Sequence, residues 1–351
     1  MSSTSASRPD PPRPNPDARV PFKSVHSHSV HLEVYLPSHD EISCARSRDG
    51  AGIPCLVWVH GGGWFDGAAS DYSLPNLVPT LARGWAFIAV EYRLVPQVTL
   101  KDCVDDVRDA CEFVQSGELD RALGAARPDD RVKLDGQRLA VSGSSAGGAL
   151  ALFASYTLSP PPRAVFALYA GSDLSFPSCH APVAFPSGTI AYSDVAAHLD
   201  PHGPVVSSSP AQVDFSTLVA HGRTRACFWA VQEGKAIELA VPGFDSSSSS
   251  PDRAVYDDDD PVLAPYIATN LVERLGNATP PTVLVHGTDD LMVPVEISRK
   301  LFAALQRHGV KSQLLEEPGA NHGFDLIPGV VRDAAKMKVF YEALDFVEKY
   351  L

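Results

Sequence analysis

The segment Leu139-Ala140-Val141-Ser142-Gly143-Ser144-Ser145-Ala146-Gly147-Gly148 starts as an apolar run, passes through Gly-x-Ser-x-Gly and enters a second apolar stretch near Ala146. That order predicts a buried strand, a sharp turn and a helix. Small residues are needed at the turn: Gly143 and Gly147 let strand and helix approach closely, which pushes the Ser145 hydroxyl outward. The backbone N–H of Ala146 then lies at a helix N-terminus, where it faces developing negative charge. Ser144 offers a competing hydroxyl, and the spacing from the first glycine selects Ser145 as the candidate nucleophile.

Three more segments carry what a serine nucleophile needs. Val57-Trp58-Val59-His60-Gly61-Gly62-Gly63-Trp64 is a strand running into three glycines. Consecutive glycines cost backbone entropy, and they make sense where N–H groups must approach a substrate oxygen without side chains in the way. Val283-Leu284-Val285-His286-Gly287-Thr288-Asp289-Asp290-Leu291-Met292-Val293-Pro294 is a strand ending in a turn with two carboxylates. Glu316-Glu317-Pro318-Gly319-Ala320-Asn321-His322-Gly323-Phe324 ends in a loop with a histidine. A serine needs a base to take its proton, and the imidazole needs a carboxylate to fix its tautomer and stabilise its charged form. Among twelve histidines, His322 has the right place in chain order, His60 is read as ordering the glycine turn, and His286 as structural. The residues alone leave Asp289 and Asp290 equivalent.

Outward from these segments the chain alternates between strand-like and helical periods. Apolar runs at Cys55–Val59, Ala86–Val90, Leu139–Val141, Ala164–Tyr169, Thr282–Val285 and Ser312–Leu315 predict parallel strands covered by helices on both faces. With an N-terminal hairpin over Phe22–Val25 and Val30–Tyr35, about eight strands result. Helices are expected over Leu100–Cys111 with Val114, over Ala146–Leu158, over Val295–Gln306 and over Val330–Tyr350. The Asp residues of the first of these read as a solvated face. Residues 1–20, rich in Pro and Ser, read as a flexible tail, and 21–351 as one domain. From about 171 to 265 the alternation vanishes, and this segment reads as an inserted cap. The Ser246–Ser250 and Asp257–Asp260 runs inside it read as solvated loop.

The balance of 44% apolar and 20% charged residues in 351 allows a sizeable core and excludes a wholly disordered chain. A net charge of −13 without a basic stripe argues against a nucleic-acid partner. The N-terminus lacks an apolar stretch and no run reaches membrane-spanning length, so no membrane span is expected and the cytoplasm is the expected location. The six cysteines lack paired spacing and read as reduced thiols. Asn277-Ala278-Thr279 matches a glycosylation acceptor by chance on this reading.

HGGGW at His60 to Trp64, GSSAGG at Gly143 to Gly148, HGTDDLMVP at His286 to Pro294 and GANHGF at Gly319 to Phe324 resemble the motifs of α/β-hydrolase esterases of the hormone-sensitive-lipase type. The resemblance covers most of the stretch from Ile53 to Leu351, weakly in the cap and not in the tail. It implies an α/β-hydrolase fold and a catalytic triad of Ser145, Asp290 and His322, with Asp290 chosen as the fourth residue after His286. It also implies oxyanion donors at Gly62, Gly63 and Ala146, and a small-molecule ester as substrate, with neither metal nor organic cofactor. Glu91-Tyr92-Arg93-Leu94 resembles the family's strand-end turn, whereas Ser144 departs from it, since many members carry an acid there. The HGGGW segment is also similar to the HGGxW of kynurenine formamidases. Formamidase or amidase, lactonase and acyltransferase activities thus stand as alternatives, with a catalytically silent ligand-binding scaffold beyond them. Trp64, Phe176 and Trp229 are candidates to line the substrate pocket. Oligomeric state is not legible.

Overall fold

In the computed structural model, eight strands form one twisted sheet in the order β1-β2-β4-β3-β5-β6-β9-β10. The strands are β1 (Ala18–Val25), β2 (His28–Tyr35), β3 (Ile53–Val59), β4 (Ala86–Val90), β5 (Leu134–Ser144), β6 (Ala164–Leu168), β9 (Thr282–Gly287) and β10 (Ser312–Glu317). β7 (Val213–Asp214) and β8 (Val219–Ala220) make a separate antiparallel pair. The structure describes residues 10–38, 40, 52–126, 132–185, 187–214, 219–244 and 260–351. β1 and β2 pair antiparallel, β2 joins β4 antiparallel, and every pairing from β4 to β10 is parallel. This is the expected mostly parallel eight-stranded sheet.

The central strands are buried on both faces. Val57 and Val59 of β3 point to one side, where Val107, Leu150, Leu271 and Leu301 pack. These come from α2 (Leu100–Gln115), α4 (Ala146–Ser155), α7 (Ala268–Leu275) and α8 (Val295–Arg307). Leu56 and Trp58 point to the other side, against Leu77 of α1 (Leu74–Ala82) and Phe340 and Leu344 of α9 (Ala334–Glu348). A strand with helices on both faces has no polar side, so its sequence reads as a continuous apolar run. The remaining helices are α3 (Glu118–Ala126), α5 (Gly222–Gln232) and α6 (Ala236–Ala240). No helix among the described residues is long and apolar enough to cross a membrane.

Several boundaries differ from expectation. β5 begins five residues before Leu139, because its first part is half-exposed and polar and its register against β3 shifts at Pro54/Cys55. The helix expected from Val330 starts at Ala334, where Asp333 caps it by accepting from Ala335 N at 3.0 Å and Lys336 N at 3.3 Å. Residues 10–20 are not a free tail: β1 starts at Ala18, Asp10 accepts from Gly329 N at 3.0 Å, and Arg13 donates to the Ser70 carbonyl at 3.0 Å. Residues 1–9, Cys44 and the Ser246–Ser250 run lie outside the described residues, as does the Asp257–Asp260 run apart from Asp260.

The Asp-rich face of α2 is not wholly solvated, as the spacing suggested. Asp106 is fully buried and takes three contacts from two charged partners: Arg93 Nε at 2.8 Å, Arg93 Nη2 at 2.9 Å and Lys23 Nζ at 2.7 Å. Charges buried at this depth are tolerated only when paired. Arg93→Met, which strips the larger partner, is expected to lower the unfolding free energy by about 3 kcal/mol in urea titrations. A loss under about 0.5 kcal/mol, the range of ordinary surface changes, would show that the pair contributes nothing.

Candidate active site

The sheet order changes direction at β3, and the segments singled out in the sequence all leave the carboxyl edge. The glycine turn follows β3, Ser145 follows β5, Asp290 follows β9 and His322 follows β10. In open sheets of this kind the crevice outside the carboxyl ends at such a switch point is the usual place for a ligand.

Ser145 sits at φ +54°, ψ −125°, a conformation that L-residues rarely adopt. It is held there by close packing. A Cβ on Gly147 would collide with the carbonyl oxygens of Val59 and His60, and one on Gly143 with the carbonyl of Gly147. Ser145 N donates to Leu168 O of β6 at 2.9 Å. Nearby, Trp64 Nε1 donates to Ala146 O at 3.2 Å, tying the glycine turn to the first turn of α4. No hydrogen bond among the described residues uses the N–H groups of Gly62, Gly63 or Ala146.

A row of hydrogen bonds runs inward from the hydroxyl. Ser145 Oγ lies 2.9 Å from His322 Nε2, and His322 Nδ1 lies 2.7 Å from Asp290 Oδ2. With Nδ1–H donating to the carboxylate, Nε2 is left to accept from the serine. Asp290 Oδ1 accepts from Met292 N at 2.9 Å and Val293 N at 2.8 Å. His286 Nε2 donates to Val293 O at 2.8 Å and lies 3.3 Å from Asp290 Oδ2, with Ser298 Oγ at 2.8 Å from its Nδ1. Burial alone would push the Asp290 carboxyl up. The bonds from His286 and His322, the charge of His322 and the Val293 N–H outweigh it, holding the group well below the usual carboxylate range.

Asp289 is exposed, and its carboxylate accepts from Thr288 Oγ1 at 3.0 Å. Only Asp290 of the two meets His322. His286, read from sequence as structural, is buried and also lies against the Asp290 carboxylate. Asn321 was not singled out. Its Oδ1 accepts from Leu291 N at 3.2 Å and His322 N at 2.7 Å, joining the loop after Asp290 to the loop that holds His322.

His60 orders the glycine turn as expected: its Nδ1 lies 2.9 Å from Gly61 O, and its ring stacks on Tyr92 at 4.3 Å. Tyr92 in turn donates to the carbonyls of His60 and Gly61 at 3.2 and 3.1 Å. Burial pushes the His60 imidazole down, so the neutral ring is favoured.

The segment between β6 and β9 fastens onto the same turn through residues the sequence did not reveal. Arg223 of α5 donates to Phe65 O and to Val95 O, each at 2.6 Å. Thr224 donates to Asp66 Oδ2. Gly67 and Ser209 exchange backbone bonds at 2.7 and 2.8 Å. Cys227 Sγ lies 2.5 Å from where a Cβ on Gly63, at φ +60°, would stand. Of the three pocket candidates, Trp64 is buried and bonded to Ala146 O, Trp229 lies on α5 with its ring 5.1 Å from Tyr192, and Phe176 is half-buried beside a 3-10 turn.

Two family matches bracket this geometry: the BD-FAE family over residues 34–160 and the prolyl oligopeptidase family over 255–351. Among solved structures, an α/β hydrolase superfamily protein from Enterococcus faecalis superposes with a TM-score of 0.60 at 15% identity, covering 92% of this chain and 96% of that one. Carboxyl esterase 2 from Tuber melanosporum superposes at 0.57 and 18% identity, covering 95% and 87%. The chain has the α/β-hydrolase fold. In sequence, this α/β-hydrolase chain is 26% identical over 318 residues to the non-reducing polyketide synthase Preu6 of Preussia isomera, covering 88% of this chain but 14% of the synthase. It is 25% identical over 337 residues to methylphloroacetophenone synthase of Cladonia uncialis, covering 89% of this chain and 12% of that protein. The chain thus spans only a small fraction of these curated relatives.

Asp66 yields a pH prediction. It is 1% exposed with one carboxyl oxygen unpartnered among the described residues. Burial, helped by the charge of Asp71 and opposed by Thr224 and Arg223, pushes its carboxyl up to about 7. The folded protein therefore keeps this proton to about pH 7, while the unfolded chain gives it up near 4. Between those values the unfolded state binds fewer protons, so this group makes stability fall as pH rises. Comparing urea unfolding at pH 5 and pH 7, Asp66→Asn is expected to remove on the order of 2 kcal/mol of that fall. An unchanged pH slope would show that Asp66 is ionised throughout.

Proposed function

We propose that this chain is a serine hydrolase that cleaves a carboxylic ester of a small or medium-sized substrate. The observation that carries the reading is the unbroken row Ser145 Oγ, His322, Asp290, with the free N–H groups of Gly62, Gly63 and Ala146 on the adjoining turns. Ser145 attacks the ester carbonyl as its proton passes to His322 Nε2. The oxyanion that forms is stabilised by the three backbone N–H groups, each worth about 3 kcal/mol in sites of this kind. The C–O bond to the alcohol then breaks, and the alcohol leaves with the proton from Nε2. Water attacks the acyl-enzyme, giving its proton to Nε2, and the carboxylic acid is released as Ser145 regains its hydrogen. Asp290 stays ionised throughout and stabilises the imidazolium. Phe176 and Trp229 remain the candidates for contact with the substrate's apolar part.

A second reading is favoured by the polyketide synthase relatives: the same triad acts on an acyl thioester, releasing or transferring a polyketide-type acyl chain. The chemistry at Ser145 is unchanged, and only the leaving group differs. Comparing kcat/KM for aryl butyrates and for β-keto acyl thioesters decides between them.

Ser145→Ala is expected to lower kcat on an aryl acetate or butyrate by at least about 10⁴-fold and to abolish labelling by a fluorophosphonate probe. Full activity in this variant would sink the proposal. Asp290→Asn is expected to lower kcat by about 10³-fold or more, and Asp289→Asn by less than about threefold. The reverse pattern would move the acid to Asp289.

A further inference from the structure

Behind the imidazole lies a buried polar chain that the reaction just described does not use. Tyr169 follows β6 directly, at φ +32°, and its N–H donates to Val285 O at 2.7 Å. Its ring centroid stands 4.6 Å from that of His322, tilted by 59°. The phenol donates to Asp325 Oδ1, and the Ser144 hydroxyl meets the phenol oxygen. Asp325, in the 3-10 turn Phe324–Leu326, is 2% exposed, and the Ser73 hydroxyl lies beside its carboxyl. Phe324 packs edge-on against Tyr169 at 5.8 Å and against Phe340 at 5.8 Å. Tyr169 therefore has its backbone fixed by the sheet, its ring fixed by Phe324 and its hydroxyl fixed by Asp325.

Burying a carboxyl and a phenol together costs desolvation of both, and a plain apolar wall would avoid that cost. The pair is also placed where it matters. Asp325 is three residues after the base and Ser144 is the residue before the nucleophile, so the chain Ser144–Tyr169–Asp325 spans the two loops whose separation sets the Ser145–His322 distance.

We propose that Tyr169 and Asp325 are positioning residues for His322: the Asp325 carboxyl locks the phenol, and the locked ring backs the imidazole so that Nε2 stays aimed at Ser145 as the ring charges. This rests on His322 being the base. The face of the imidazole toward Tyr169 sees no other described ring, and the groups facing the imidazole are Ser145 and Asp290 along its nitrogens, with Asp325 acting on it through charge. Losing the lock lets the ring tilt. A misplacement well under 1 Å suffices for a tenfold loss in rate.

Two measurements test this on the full chain. First, kcat and KM on an aryl butyrate are compared in wild type, Tyr169→Phe, Asp325→Ala and the double variant, per fluorophosphonate-labelled site so that unfolded protein is not counted. Each single variant is expected to lose about tenfold in kcat with KM within about twofold, and the double variant no more than either, as residues acting through one bond should. Asp325→Asn, which still accepts from the phenol, is expected to stay within about threefold of wild type. Second, the His322 imidazole is titrated by NMR, its signal assigned by its absence in His322→Gln. The signal is expected to move relative to wild type in Tyr169→Phe and Asp325→Ala, since the groups backing the ring change. Unchanged kcat and signal, or additive losses in the double variant, overturn the proposal. Where wild type shows no ester turnover, the hydrolase reading fails, and the His322 titration alone decides the positioning role.

Discussion

The turns after β3 and β5 can lie side by side only because Gly147 has no Cβ. Its α-carbon faces the carbonyl oxygens of Val59 and His60 at a distance that no side chain could share. This close approach brings the start of α4, with the Ala146 N–H, against the turn that carries Gly62 and Gly63. It also forces Ser145 into a left-handed conformation that costs on the order of 1–3 kcal/mol. The cost is borne by surroundings that leave no alternative: α4 is buried along its whole length, and Leu168 and Trp64 bond the turn from either side. A larger residue at 147 would separate the two turns and dissolve both the strain and the N–H arrangement together.

The other half of the site depends on a different economy, that of a buried anion. The Asp290 side chain is fully buried, and an ionised carboxylate there needs every lone pair answered. Two backbone N–H groups, His322 and His286 do so. His286 is itself oriented by Ser298 and Val293, and Asn321 bonds the loop after Asp290 to the loop that holds His322. The carboxylate is thus held from three directions, which is why its proton affinity is depressed in spite of burial. An imidazole facing an anion held this rigidly has its tautomer fixed by that anion.

These two halves differ in how far they show in a sequence. Strands buried on both faces announce themselves as apolar runs, so the sheet was legible from Cys55, Ala86 and Thr282 onward. Edges were not: the polar start of β5 around Asp135 and the capped start of α9 at Asp333 broke the apolar period that would have marked them. Helix α1 carries Pro75 and Pro79, which argue against a helix although the first lies where an intrahelical N–H partner is absent anyway. Periodicity also misled at Asp106, since a carboxylate at a polar-looking position is buried when Arg93 from the turn after β4 and Lys23 from β1 both reach it. Spacing chose Ser145, but the residues by themselves left Asp289 and Asp290 equivalent and only the family resemblance pointed to Asp290, because neighbouring carboxylates in a turn differ in direction and not in type.

The segment between β6 and β9 was least legible for a reason that bears on its role. Its apolar residues, among them Ile190, Leu199, Phe228 and Ile237, join the core cluster of the sheet without a regular period. Single polar contacts add to this packing: Arg223 to two carbonyls, Thr224 to Asp66, and Ser209 paired with Gly67. The bonds to Phe65 O, Asp66 and Gly67 end just after Gly62 and Gly63, the bond to Val95 O ends on the loop after β4, and Cys227 packs directly over Gly63. Contacts of this kind fix distance and angle, whereas apolar contacts tolerate sliding. The segment between β6 and β9 is therefore tied at fixed distances to the backbone that follows Gly62 and Gly63.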